Sequence, residues 1–76
     1  MIILKVLTPK RVIFEDSVES IFFPGDLGEF EVLPLHKPVI SLLRKGDIIV
    51  DWEKAISIKR GIMKMKDDRV VALVEE

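Results

Sequence analysis

The chain has 76 residues, 49% of them hydrophobic and 33% charged, which excludes a disordered tail, since that needs low hydrophobicity and high net charge. At this length it is one domain at most, residues 1–76, and its core is marginal because so short a chain buries only about 60% of the surface its unfolded form exposes. Twelve basic residues against thirteen acidic ones leave a net charge of −1, which argues against a nucleic-acid binder, and the absence of cysteine removes disulfides and thiolate metal sites. No apolar run approaches the roughly 20 residues that cross a bilayer, and Met1-Ile2-Ile3-Leu4-Lys5 is not a secretory leader. A soluble, intracellular chain with no direct bilayer insertion is therefore expected. One histidine, no cysteine and no tyrosine leave few ways to build an acid–base pair near neutral pH, so binding is expected rather than catalysis.

Ten Ile and nine Val against two Ala favour strands, because β-branched side chains crowd a helical turn but pack well on a pleated surface. In chain order, strands are predicted over 2–7, 11–14, 18–23, 29–33, 39–43, 47–51, 55–59, 61–66 and 69–74. The breaks between them carry Thr8-Pro9, Glu15-Asp16-Ser17, Pro24-Gly25-Asp26, Pro34 through Pro38, Lys45-Gly46-Asp47, Asp51 through Lys54, Arg60-Gly61 and Asp67-Asp68. Several segments alternate strictly. Phe30 and Val32, Ile56 and Ile58, and Met63 and Met65 each fall on one face of a period-two pattern. The segment 39–43 is also compatible with a helical turn. About nine or ten short antiparallel strands at near-even spacing predict an all-β fold, a small two-sheet sandwich or flattened barrel, with Phe30, Val32, Leu33, Ile56, Ile58 and Val70 inward. Three runs are apolar on both faces: Ile21-Phe22-Phe23, Ile48-Ile49-Val50 and Val70 through Val74. They lie either buried on both sides or with the second face on a partner.

The stretch from Pro24 to Pro38 reads P-x-x-x-G-E-x-x-x-L-P-x-H-x-P. It resembles the corresponding segment of the epsilon subunit family of F-type ATP synthases, called delta in mitochondria. Leu4 through Pro9 is similar to the family's opening strand and Val18-Glu19-Ser20-Ile21 to its valine-glutamate-serine-valine strand. Leu43-Arg44-Lys45-Gly46 and Gly61 with Val70 through Glu75 follow in order. Two places depart from the family pattern. Lys59-Arg60-Gly61 stands where the family usually has Ser-Gly-Gly, and Glu31 and Leu35 stand where it often has glycine. The Asp51–Lys54 turn is shorter than the family's.

The resemblance implies a β-sandwich rotor subunit with no chemistry of its own and no cofactor, coupling the gamma subunit of the central stalk to the ion-carrying c-ring. It implies a c-ring contact at Asp26, Leu27, Gly28 and Glu29, meeting the ring's polar loops. It implies a gamma contact at Thr8, His36 and Ser41, on the cytoplasmic face of the ion-translocating membrane, most simply a bacterial plasma membrane. Many members continue into a C-terminal helical hairpin that binds ATP in some bacteria and inhibits the motor. The sequence stops at Glu75-Glu76, either as a piece of a longer protein or as a short form, and in both cases no ATP binding and no inhibition are expected of these residues. A stand-alone β-barrel binding or scaffold module is the alternative reading.

Each candidate also has an unremarkable explanation. His36, bracketed by Pro34 and Pro38, can simply bond its own loop, and one histidine is not a metal site. Asp26 and Glu29 can form a solvated hairpin tip; a glycosidase pair would need a cleft that nothing in the sequence supplies. Gly25, Gly28, Gly46 and Gly61 match no phosphate loop and are expected at turns needing positive φ. The scattered lysines and arginines are expected as solvated faces and protected edges.

Overall fold

A computed structural model describes all 76 residues, Met1–Glu76. Nine strands form and no helix: β1 (Ile2–Leu7), β2 (Val12–Val18), β3 (Ile21–Gly25), β4 (Gly28–Val32), β5 (Val39–Leu43), β6 (Gly46–Val50), β7 (Lys54–Ile58), β8 (Arg60–Lys66) and β9 (Arg69–Glu75). All nine predicted segments are found, and residues 39–43 are a strand rather than a helical turn.

The strands make one continuous ladder in the order β2-β1-β9-β8-β5-β3-β6-β7, with β4 added on β3. Strand β5 meets β3 at a single pair, Gly25 with Leu43. That corner divides the ladder into two wings, β2-β1-β9-β8-β5 and β4-β3-β6-β7. The two-sheet sandwich is thus realised as one sheet folded upon itself, as sheets do when strands turn a corner between layers. Every pairing is antiparallel except β1 with β9, which run parallel from Ile3 opposite Arg69 to Leu7 opposite Leu73. A parallel pair cannot be made by a hairpin, and here nearly the whole chain is the crossover.

The core lies between the wings. Ile2, Leu4, Val6, Met63, Met65, Val70, Ala72 and Val74 from the first wing face Ile21, Phe23, Val32, Ile48, Val50, Ile56 and Ile58 from the second. These alternate along their strands, which is why the period-two pattern found them. Phe30 packs on this core with its ring centroid 5.7 Å from that of Phe23.

Four local expectations are corrected. Glu15-Asp16-Ser17 is not a turn but the middle of β2, paired with Lys5, Leu4 and Ile3. All three stay exposed on an edge strand, where solvated charge is tolerated and discourages pairing with other chains. Pro24-Gly25 closes β3 rather than forming the turn, which is Asp26-Leu27. Leu33 is not inward but 48% exposed, because β4 ends at Val32. Of the glycines only Gly28 has positive φ, at 134°. Gly61 is instead required by close approach: a Cβ there would lie 2.6 Å from the Leu73 carbonyl oxygen and 2.9 Å from Val74 Cγ1.

The wings are tied where the free edges approach. The Asp51 Oδ1 accepts from the backbone N–H of Glu19 at 2.8 Å and of Ser20 at 3.0 Å, and Asp51 N–H donates to the Ser20 carbonyl. Lys54 Nζ sits 5.1 Å from the Phe14 ring centroid, joining β7 to β2 across the seam.

Candidate functional site

The β3–β4 hairpin carries the four candidate ring-contact residues at its tip. Gly25 pairs with Gly28, leaving Asp26 and Leu27 as a two-residue turn, and Pro24 pairs with Glu29. Leu27 is 102% exposed, an apolar side chain with no intramolecular partner, and Glu29 projects beside it in solvent. The backbone beneath is fixed: Asp26 N–H donates to the Leu42 carbonyl and Arg44 N–H to the Pro24 carbonyl, each at 2.9 Å. The tip is a stiff base presenting one leucine between two carboxylates.

Thr8 ends β1 and folds the chain back toward β2. Its Oγ1 accepts from the N–H groups of Lys10 and Arg11 at 3.1 Å, and its N–H donates to the Arg11 carbonyl. His36 lies in the Leu33–Pro38 loop, where its Nδ1 is 2.7 Å from the Lys37 carbonyl oxygen. That loop is a turn with Pro34 and Leu35 at its centre, closed by His36 N–H on the Leu33 carbonyl, and pinned by Leu35 N–H on Asp68 Oδ1 at 2.8 Å. Leu35 holds φ at 66°, so glycine is the residue the turn favours. Ser41 pairs with buried Met63 and shares its inward face, half-buried, with its Oγ donating to the Leu42 carbonyl.

The structure groups these residues unevenly. Thr8, at one end of the first wing, lies on the same side of the molecule as the Asp26–Glu29 tip of the second wing. Pro9 and Asp26 both line one open groove of about 580 Å³, together with Leu42, Ile62, Leu73 and Arg60. His36 lies at the other end, near the Asp67-Asp68 turn, and at about 3.3 Å per residue the intervening β9 spans roughly 20 Å. Ser41 lies between them on β5. No group of three or more acidic or histidine side chains converges to hold a metal.

Sequence reasoning did not single out what lies between the two ends. Register places Leu42 opposite Ile62, Ile62 opposite Leu73, Leu73 opposite Leu7, and Leu7 opposite Val12. One apolar row therefore crosses five strands on the outer face of the first wing. Ile40 and Val71 flank it and Lys5, Lys64, Lys66 and Arg69 border it. Leu42 is 60% exposed and Leu73 43%. The signal was present in the two-sided run Val70 through Val74, whose Val70, Ala72 and Val74 are buried while Val71 and Leu73 stand in solvent. At the groove's edge the Arg60 Nε donates to Glu75 Oε2 at 2.9 Å. That bond, then the Arg60 charge, and more weakly Lys59, hold the Glu75 carboxyl below the usual carboxylate range against a small opposing effect of desolvation.

Comparison with known proteins sets this geometry in a family. The model of the ATP synthase delta/epsilon chain β-sandwich domain matches residues 1–76. The ATP synthase epsilon chain of Sulfurovum sp. is 37% identical over 76 residues, covering 95% of this chain and 59% of that one. The epsilon chain of Campylobacter concisus is 42% identical with the same coverages. This chain thus spans about three-fifths of the length of the curated relatives it matches. Among solved structures, a chain of the Euglena gracilis mitochondrial ATP synthase OSCP/F1/c-ring assembly superposes with a TM-score of 0.85. It is 25% identical, with 99% of this chain and 51% of that one covered. A chain of the Tetrahymena thermophila mitochondrial ATP synthase central stalk/c-ring superposes at 0.81 with 10% identity, covering 99% of this chain and 63% of that one, a likeness of fold alone.

Proposed function

Because this chain belongs to the ATP synthase delta/epsilon β-sandwich family, whose model spans it from end to end, we propose that it is a non-catalytic rotor component of a rotary ATP synthase. In this reading it couples the gamma subunit of the central stalk to the membrane ion-carrying ring during proton- or sodium-driven synthesis. It sits at the membrane surface without entering it, on the cytoplasmic side if the source is bacterial like the matched curated relatives. The matched relatives and structures are ATP synthase chains, which does not favour the stand-alone module.

The observation that carries the reading is the row Val12, Leu7, Leu73, Ile62 and Leu42, half-buried at Leu7 and exposed elsewhere, with Thr8 next to Leu7 and the His36 loop at the far end of the same wing. A gamma contact on this outer face gains its area from the row and its register from the polar ends. Exposed apolar surface of this extent on a small protein marks an interaction site. The ring contact is assigned to the Asp26–Glu29 tip, whose braced backbone lowers the ordering cost of binding. Two standard contacts of roughly 800 Å² each would occupy about a third of the 5010 Å² surface. One core shared by both wings supports treating residues 1–76 as a single domain that passes torque as a rigid body.

The test is co-purification with gamma. Leu42→Asp combined with Ile62→Lys places a facing pair of opposite charges on the row at exposed positions, so stability should stay within about 1 kcal/mol of the parent in a urea melt. Gamma should be lost from the complex. If the doubly substituted protein still co-purifies fully, the gamma contact lies on another face.

A further inference from the structure

The outer face of the second wing carries a feature that neither the ring contact nor the stalk contact uses. Phe22 lies there between Glu31 on β4 and Ile49 on β6, which are its direct cross-strand partners. The Trp52 ring packs on Phe22 at 4.7 Å between centroids and 76° between planes, an edge-to-face pair. Trp52 nevertheless remains 70% exposed. It is held outward by a backbone that a bulky residue rarely adopts: φ is 51° at Asp51 and 62° at Trp52, in a turn closed by Glu53 N–H on the Val50 carbonyl. The Asp51 carboxylate clamps that turn to Glu19 and Ser20.

Three glutamates are placed near the aromatic pair by register or by sequence. Glu31 faces Phe22 across the ladder, Glu53 follows Trp52, and Glu29 lies one step further along the same face of β4. None of them takes part in the chain's two ion pairs, which are Arg11–Glu76 and Arg60–Glu75. The nearest lysine in sequence, Lys54, is turned away, its ammonium over Phe14 at the seam. Asp47, also on β6, is occupied by the Ser57 hydroxyl at 2.8 Å. An aromatic pair beside unpaired carboxylates complements a planar cation. A guanidinium stacks on an indole or phenyl face while its N–H groups bond carboxylate oxygens, which a hydrocarbon or an anionic lipid surface cannot do.

We propose that Phe22 and Trp52, with Glu31 and Glu53, form a docking site for an arginine side chain of a partner protein. The site is separate from the apolar row and from the hairpin tip, and it does not depend on the rotor reading. It predicts a partner segment that presents arginine on a turn or helix surface, with contact strength that falls as salt rises.

Trp52 is the only tryptophan and the chain has no tyrosine, so indole emission reports this site alone. The probe is the blocked peptide Gly-Arg-Arg-Gly, titrated at low salt against the same peptide with citrulline in place of arginine. A saturable change in Trp52 emission is expected with arginine and at least fivefold weaker binding with citrulline, the isostere without charge. Glu31→Gln with Glu53→Gln should weaken arginine binding by about five- to tenfold, with circular dichroism unchanged because Gln is isosteric with Glu at the half-buried position 31 and position 53 is exposed. Glu29→Gln combined with Leu27→Ala, at the hairpin tip, should leave it within about twofold. Should Glu31→Gln disturb folding, Glu53→Gln alone carries the test. Equal response to both peptides, no saturable response, or undiminished binding by the glutamine variants would each overturn the proposal. Anionic vesicles in place of peptide should leave the emission unchanged; a blue shift on vesicles and none on peptide would mean that the patch meets lipid instead.

Discussion

At the residue scale, Leu35 and Arg60 can be weighed individually. Leu35 sits at φ 66° with its side chain 89% exposed, so it bears the left-handed penalty of about 1–2 kcal/mol and gains no burial in return. Leu35→Gly removes that penalty while keeping the N–H bond to Asp68. The greater freedom of glycine in the unfolded chain offsets part of the gain, so a net stabilisation of about 0.5–1 kcal/mol is expected in denaturant melts. Arg60 holds the Glu75 carboxyl below the usual carboxylate range through its Nε bond and its charge. A carboxylate whose folded pKa is lowered stabilises above the ordinary carboxylate range, and that contribution is lost as pH falls through the lowered value. Arg60→Gln should therefore move the Glu75 titration upward toward the ordinary value, read by NMR of the carboxyl carbon. An unmoved Glu75 would mean that Lys59 alone sets it.

At the level of elements, β9 and β8 form the structural centre, because β9 is flanked on both sides and β8 joins it to the corner strand β5. Their junction is tight where Gly61 passes under Leu73 and Val74. Gly61→Ala cannot be absorbed by a flexible side chain, since the closest atom is a backbone oxygen. A loss of about 1–3 kcal/mol in urea is expected, the range for overpacking, together with disturbed amide signals from Leu73 and Val74 in the groove. The β3–β4 hairpin has the opposite character, with its tip free and its base bonded to β5. Glu29→Lys reverses a charge at that tip without touching the core. Attachment to the ring should weaken while the thermal midpoint shifts by less than about 0.5 kcal/mol equivalent. Loss of folding would mean the tip is structural.

For the whole molecule, the two outer faces differ in chemistry although the two wings share one core. The first presents an apolar row bordered by Lys5, Lys64, Lys66 and Arg69; the second presents Phe22 and Trp52 among glutamates. Partners meeting the two faces should accordingly respond to salt in different ways. Raising ionic strength should spare a contact made by Leu42, Ile62 and Leu73, because apolar burial is not screened, and should weaken one made through Glu31 and Glu53. Binding assays on the parent protein at low and moderate salt check this. Equal salt dependence on both faces would remove the distinction.

The nine strands, most of their boundaries and most of the inward positions, Leu33 excepted, were legible from residue order. Alternation and turn residues act within a few positions, so local chemistry determines them before any long-range contact exists. The family resemblance ran along essentially the whole chain, with its specific segment at Pro24 through Pro38. Tertiary structure alone decided the rest. It joined β1 to β9 in parallel, bent the sheet at Gly25 and Leu43, drew Glu15-Asp16-Ser17 into β2, and left Leu33 outside the core. It also decided that Val71 and Leu73 face solvent, and that Leu35 and Trp52 hold positive φ in turns tied to Asp68 and by Asp51. Period two defines two faces for every strand but is silent on which of them another part of the chain will cover. That depends on residues far apart in sequence, and their pairing becomes favourable only once the sheet has closed on its core.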